Sequence, residues 1–244
     1  MIIMEKKWRT KIADSGEGGT VIRGYDLVDL IGVLSFSEMV FLLLKEEKPT
    51  KEQKEMMDAI LVSCAEHGIA VPSVTSARTV FSGGNPMNAA VAAGILAIGD
   101  HHGGAIEQAA KLLQENKGKD AGSIVKEYSK KRIPGYGHKI YTTDPRSTKL
   151  LEIAKRNNIS GRHVELALQI EKALEETTGE KLCLNVDGAV AAIVSDMGFD
   201  WRLGKGFFII GRTAGLVAHI HEEWVNEKPF RRLDKEEYEY TGKK

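Results

Sequence analysis

This 244-residue chain has two cysteines, no net charge and no apolar run long enough to cross a bilayer, and each shortage removes a class of answers. Cys64 and Cys183 sit in apolar surroundings, which reads as two core thiols in a reducing cytoplasm rather than as a disulfide. Lys plus Arg and Asp plus Glu both number 34, so no global field draws the chain to nucleic acid or to an anionic membrane. Any anion must be read by locally placed basic groups. The best apolar run, Ala89 to Ile98, is too short to span a membrane and ends at Asp100. Met1 to Thr10 shows no apolar core followed by small residues, which predicts no secretory leader. HExxH and paired CxxC spacings are absent, and His219 and His221 are two apart on a predicted helix, on different faces, so no protein-ligated metal is expected. No internal repeat or low-complexity linker interrupts the chain.

What is present is a helical period. With 42% hydrophobic and 28% charged residues the balance is that of an ordered globular protein, in one large domain or two unequal lobes. Ser35 and Ser37 are candidate caps for a helix through Glu38–Lys45. Lys51–Glu66 predicts a second helix stopped at Gly68, and Ser76–Phe81 another that ends at Gly83-Gly84. Asn85-Pro86, with proline read as the first helical residue, opens the Ala- and Gly-rich run Ala89–Ile98, which suits a buried, closely packed helix. Amphipathic stretches follow at Ala105–Glu115, Gly122–Lys131, Ser147–Asn157 and Gly161–Thr178, then strongly apolar ones at Gly188–Met197 and Lys205–Asn226. Arg9–Ile12 and Thr20–Arg23, separated by the Gly-rich Ser15–Gly19, predict a small N-terminal hairpin. The fold class is all-α.

Polar clusters fall at helix ends and in loops, where a rigid scaffold can present chemistry. They are Glu66-His67-Gly68, His101-His102-Gly103-Gly104, Pro134-Gly135-Tyr136-Gly137-His138 and Asn185-Val186-Asp187-Gly188, with Arg146, Arg212 and Arg231-Arg232 around them. Each also has a purely structural reading. Asp187 could be the N-cap of the apolar helix behind it, His67 could close a helix, and the arginines could be surface charges. Pro134–Gly137 could be a turn; no Gly-Lys-Ser/Thr follows, so it is not a Walker loop.

Taken together and in order, Glu66-His67-Gly68, Ser76-Ala77-Arg78, His102-Gly103-Gly104-Ala105, Pro134–His138 with Asp144-Pro145-Arg146, Asn185-Val186-Asp187 and Gly211-Arg212 resemble the citrate synthase superfamily. The early stretch Ile22–Asp26, with Ser35-Phe36 and Leu42-Leu43-Leu44, is similar to that family's early region, so the likeness runs from about residue 9 to the end. Ile98-Gly99-Asp100 and Leu184–Gly188 resemble the lyase module of ATP citrate lyase, and the chain is shorter at its N-terminus than a full citrate synthase. Two positions depart from the synthase pattern: Ile106 stands where Asn is usual, and Thr142 where a basic residue often meets CoA phosphate.

The resemblance implies a helical fold of two lobes, residues 1–102 with 189–244 as the larger and residues 103–188 as the smaller. It implies a carbon–carbon bond step between acetyl-CoA and oxaloacetate, run as citryl-CoA cleavage, or else as citrate or 2-methylcitrate synthesis. A CoA-binding subunit that lost turnover is the non-enzymatic alternative. In this pattern Asp187 moves the proton at the acetyl carbon, a neutral His102 donates to the thioester oxygen, and His138 serves the ketone or hydroxyl. His67, Arg146 and Arg212 hold oxaloacetate, with Arg231 supplied by the other subunit of a homodimer. Pro134, Gly135, Tyr136 and Gly137 would lie along CoA, and Lys139 or another lysine would take over the charge missing at Thr142. A citrate–CoA ligase is a possible partner.

Overall fold

The computed structural model describes residues 8–128, 131–138 and 141–243. Strands β1 (Ala13–Gly16), β2 (Gly19–Ile22) and β3 (Tyr25–Asp26) form one small antiparallel sheet in that order. The expected hairpin is there, but its first strand follows Arg9–Ile12 rather than occupying it. Ser15 and Gly16 pair with Thr20 and Gly19, so only Glu17-Gly18 turn and most of the Gly-rich stretch is ladder. A two-residue turn needs no more chain than that.

Helices carry the rest. A single turn, α1 (Leu27–Leu30), precedes α2 (Phe36–Lys45), whose N-terminus is closed by a reciprocal Ser35–Glu38 capping box; Ser37 lies inside the helix and does not cap it. Thr50 and Gln53 make the same box for α3 (Lys51–Ala65). Helix α4 (Pro72–Ser82) starts four residues before the expected Ser76, because Pro72 takes the first helical position, where its missing N–H costs nothing. At α5 (Met87–Leu96) the opposite holds: Pro86 is the extended N-cap, not the first helical residue.

Helix α5 is also less buried than its composition suggests. Only Ala90 and Gly94 are enclosed, while Leu96 is 84% exposed. One face packs, on α4 and on α11 (Gly204–Asn226), and Gly94 lets that face approach so closely that a Cβ there would lie 2.9 Å from Leu216 and from the Ser73 carbonyl.

Helix α10 (Val186–Asp196) is the centre of the molecule, with Ala189 to Val194 no more than 1% exposed. It is surrounded by α6 (Ala105–Glu115), α8 (Pro145–Arg156) and α9 (Arg162–Thr178); the short α7 (Ala121–Glu127) packs on α9. A continuous apolar core runs from Phe41 and Met56 through Ile106 and Ile170 to Phe207. A smaller core, Val74, Ala77, Ala90, Leu216 and Ile220, joins α4, α5 and α11. Both thiols, Cys64 and Cys183, are buried and free. No described helix is long and apolar enough to cross a membrane.

Candidate active site

Three close backbone approaches bring the polar clusters together. In the first, the loop at residues 134–138 is zipped to residues 183–188. Gly137 N–H donates to the Cys183 carbonyl (2.7 Å), Asn185 N–H to the Gly135 carbonyl (3.0 Å), and the Asn185 amide to the Gly137 carbonyl (3.0 Å). Gly135 has φ +87°, and a Cβ there would lie 2.7 Å from the Cα of Gly188, whose own Cβ would meet the Gly135 carbonyl. Only glycine at both positions lets the loop lie on the first turn of α10. In the second, the loop at residues 99–104 folds on itself through Gly99–His102 and Gly104–Gly99 hydrogen bonds, and Gly103 (φ +81°) lies against the Phe208 ring. In the third, Gly211 and Gly215 seat α11 directly on the last turn of α3.

These approaches create a cavity of about 350 Å³ lined by His67, His102, His138, Arg146, Asp187 and Arg212, together with Cys64, Arg132, Asn185 and Phe208. Seven of the positions given a role by the resemblance meet there, Gly137 among them. Asp187 does not cap α10. The Asn185 side chain is the N-cap, accepting from the N–H groups of Asp187 and Gly188 (both 3.1 Å), which leaves the Asp187 carboxyl to the cavity. Burial pushes that carboxyl up to about 6; neighbouring Asp144 adds to the rise and Arg146 and Arg212 oppose it. Beside it the Cys64 thiol is pushed up to about 12, chiefly by burial, so it is not a thiolate nucleophile.

His102 Nε2 lies 2.8 Å from the Ser73 hydroxyl, and its ring stands edge-on to Phe208. Burial, then the charges of Arg212 and His67, lower its proton affinity, so the imidazole is neutral near pH 7. His67 is lowered too, by burial and then by Arg146, Arg212 and His138. His138 lies between two donors, the Tyr141 backbone N–H at 3.2 Å from Nδ1 and Arg146 Nη2 at 3.4 Å from Nε2, so its ring bridges the 134–138 loop and the Arg146 guanidinium.

The two arginines are held differently. Asp144, almost fully buried, grips Arg146 through Nε (3.1 Å) and Nη2 (2.9 Å), and accepts the backbone N–H of Arg146 and of Val186 as well. Burial alone would raise the Asp144 carboxyl, but these donors outweigh it and hold it below its ordinary value. Arg212, for which a surface charge was the purely structural alternative, is only 2% exposed. Its Nε donates to the Cys64 carbonyl (3.0 Å), its guanidinium lies over Phe208, and its buried Nη1 has no partner among the described residues. A buried guanidinium nitrogen without an acceptor is costly, and an anion in the cavity would meet that need.

A second, larger cavity of about 580 Å³ adjoins the first through the shared walls Arg132, Gly137 and His138. Its lining is largely apolar: Val125, Tyr128, Ile133, Tyr136, Leu174 and Leu182. Tyr136 reaches it from a buried position, its hydroxyl donating to the Ala167 carbonyl at 2.8 Å. Gly135 lies against the first turn of α10 and, like Pro134, lines neither cavity, and Lys139 lies outside the described residues. Arg231 stays away from both cavities. Its Nε and Nη2 bind buried Glu223 at 2.8 and 2.6 Å, beside Arg78, whose Nε bonds the same carboxylate at 2.6 Å. Ser73 and Phe208 were not singled out from residue type, and Asp144 was named only as part of the Asp144-Pro145-Arg146 motif, with no role of its own. A buried serine or a phenylalanine on an apolar helix carries no mark in sequence of the histidine it touches.

The arrangement offers one proton-bearing carboxyl, imidazole donors and two fixed cations, enough to bind a polycarboxylate and move a proton at carbon beside it. Comparison with known proteins agrees with that chemistry. The family profile "Citrate synthase, C-terminal domain" matches residues 45–233. A citryl-CoA lyase from Hydrogenobacter thermophilus is 52% identical, with TM-score 0.94 over 98% of this chain and 96% of that one. An ATP citrate lyase from Methanothrix soehngenii, solved with citrate and coenzyme A, is 26% identical, with TM-score 0.88 over all of this chain and 43% of that one. "Citrate synthase 2" of Bacillus subtilis (strain 168) is 31% identical over 207 residues, covering 82% of this chain and 54% of its own. The chain spans only about a third to a half of the length of the curated relatives it matches.

Proposed function

The chain belongs to the citrate synthase family, and from that premise we propose that it is a citryl-CoA lyase, cleaving citryl-CoA to acetyl-CoA and oxaloacetate. Membership makes it an enzyme, a carbon–carbon lyase or an acyltransferase. The observation that carries the finer reading is the end-to-end likeness, at 52% identity, to a citryl-CoA lyase of nearly the same length.

In this reading the citryl hydroxyl loses its proton to His138, the carbon–carbon bond breaks toward the thioester, and the acetyl enolate takes a proton from Asp187. A carboxyl raised to about 6 keeps an appreciable protonated share near neutrality, which this last step needs. His102 donates to the thioester oxygen as charge grows there, and Ser73 fixes its ring. His138 Nε2, 3.4 Å from Arg146 Nη2, stands where a ring nitrogen can exchange a proton with the oxygen that becomes the ketone of oxaloacetate. His67, Arg146 and Arg212 receive the carboxylates of oxaloacetate, the partnerless Nη1 of Arg212 among them. The larger apolar cavity takes the pantetheine arm of CoA past Tyr136 and Gly137, and the cation that Thr142 lacks is Lys139.

The two-lobe division belongs to the same proposal: His67, His102 and Arg212 come from residues 1–102 and 189–244, and His138, Arg146 and Asp187 from 103–188. We assign a homodimer in which Arg231 reaches the partner's site. The exposed apolar residues Leu96, Val217, Trp224 and Val225 on α5 and α11 support a second copy on that side. A cytoplasmic enzyme, supplied with citryl-CoA by a citrate–CoA ligase, completes the reading.

The second reading is citrate synthesis, favoured by the Bacillus relative. The two differ in whether water reaches the citryl thioester. Purified protein is given citryl-CoA in one reaction, and acetyl-CoA with oxaloacetate in another. Acetyl-CoA and oxaloacetate from the first, with little free CoA, is the expected result. Steady release of free CoA with citrate in the second overturns it. Asp187→Asn and His138→Ala each lose more than about tenfold in rate, that is, over about 1.4 kcal/mol of barrier.

A further inference from the structure

We propose that Glu66 and His219 are positioning residues for His67: Glu66 clamps the backbone on which His67 enters the cavity, and His219 holds Glu66 in that pose. This rests on the reading of His67 as a contact for oxaloacetate.

Helix α3 ends at Glu66, whose backbone turns extended (φ −148°, ψ 151°). The Glu66 side chain folds forward over the next turn. Its Oε1 accepts the backbone N–H of His67 at 2.8 Å and of Gly68 at 2.5 Å. Gly68, at φ +89°, then carries the chain away, leaving the His67 ring on the cavity with Nδ1 3.3 Å from Arg146. The other carboxylate oxygen, Oε2, meets His219 Nε2 at 3.2 Å. His219 belongs to α11, four residues after Gly215, and a Cβ at Gly215 would run into Ala65 and lie 2.5 Å from Glu66 Oε2. The clamp therefore needs the close seating of α11 on α3 that also aims Arg212. Burial would raise the Glu66 carboxyl, yet the two backbone donors and His219 hold it below its ordinary value, so the clamp is an anion. On its far side His219 Nδ1 lies 3.8 Å from Glu222, beyond hydrogen-bond distance, and Glu222 bonds Arg78 of α4 at 2.9 Å.

Neither side chain needs to touch substrate; both act by fixing where His67 stands, and small displacements of a binding group are expensive. The test is the affinity of the full chain for oxaloacetate, by titration calorimetry, with CoA titrated separately. Glu66→Ala and His219→Leu should each weaken oxaloacetate binding about tenfold and leave CoA within about twofold. His219→Gln, which keeps an N–H donor, should recover most of the loss. In a His67→Ala background Glu66→Ala should cost nothing further, because it acts only through His67. Equal weakening of both ligands, no weakening, or full additivity with His67→Ala overturns the proposal. Should Glu66→Ala fail to fold, His219→Leu, alone and in the His67→Ala background, carries the same comparison, with His219→Gln as its rescue. A wild-type chain that binds CoA but not oxaloacetate refutes the oxaloacetate reading itself and takes this proposal with it.

Discussion

Replacing the buried acid should make the protein inactive and, above pH 6, more stable. The Asp187 carboxyl is raised from 3.8 to about 6 because burial penalises its charged form. In the unfolded chain the same group ionises near its ordinary value. Between those two values the unfolded state gives up its proton while the folded state keeps it. Stability contributed by the protonated acid is thus complete below about pH 4 and is lost as pH rises to about 6. The rise corresponds to about 3 kcal/mol. Asp187 keeps some surface on the cavity, and solvent entering there trims the figure to about 2 kcal/mol. Asp187→Asn removes the ionisation with little change of volume. Urea unfolding of wild type and Asp187→Asn at equal protein concentration, at steps from pH 4 to pH 8, should show the variant about 2 kcal/mol more stable at pH 8. The two should converge near pH 4. A difference that does not change with pH, or a variant less stable at pH 8, would refute the assignment of a charge held in an unfavourable place.

Three other perturbations test the scaffold and the assembly. Gly135→Ala forces a side chain at φ +87° into Gly188, so thermal unfolding should show a loss of at least about 2 kcal/mol, with turnover falling as His138 and Asp187 shift apart. Asp196 accepts the backbone N–H groups of Gly161, His163 and Val164 and contacts His163 Nδ1; Asp196→Ala should cost about 2–4 kcal/mol in urea while the remaining folded protein still turns over. Mixing Asp187→Asn chains with Arg231→Ala chains should restore part of the activity lost by each alone; subunit exchange without recovery would place Arg231 outside the partner's site.

The helices were legible because their signals are local. The Ser35 cap of α2 and the apolar period of α9 to α11 act within one or two turns; the Thr50–Gln53 box and the Asp144-Pro145 start are equally local but were not read, and the start of α8 was expected at Ser147. Errors arose where two local signals competed. Proline serves equally as N-cap or as first helical residue, which misplaced the role of Pro86; the start expected for α4 at Ser76 passed over Pro72 altogether. An Ala- and Gly-rich run looks buried because small side chains suit close packing, but composition does not say on how many sides, and α5 is covered on one.

The order of Glu66-His67-Gly68, His102-Gly103-Gly104, Pro134–His138, Asn185–Asp187 and Gly211-Arg212 was enough, from sequence alone, to predict a helical citrate synthase-like enzyme and to nominate its polar residues. Which of those residues share a cavity depends on contacts between positions tens to more than a hundred apart in the chain. Gly135 on Gly188, Gly103 on Phe208, Gly215 on Ala65 and Arg212 on the Cys64 carbonyl are approaches that no local pattern encodes. The proton affinity of Asp187 belongs to the same level: an aspartate in the first turn of a helix reads as a cap, and only enclosure by the surrounding helices, with Asn185 doing the capping, turns it into an acid of about 6. Burial is a property of the packed chain, so that shift had to wait for the tertiary structure.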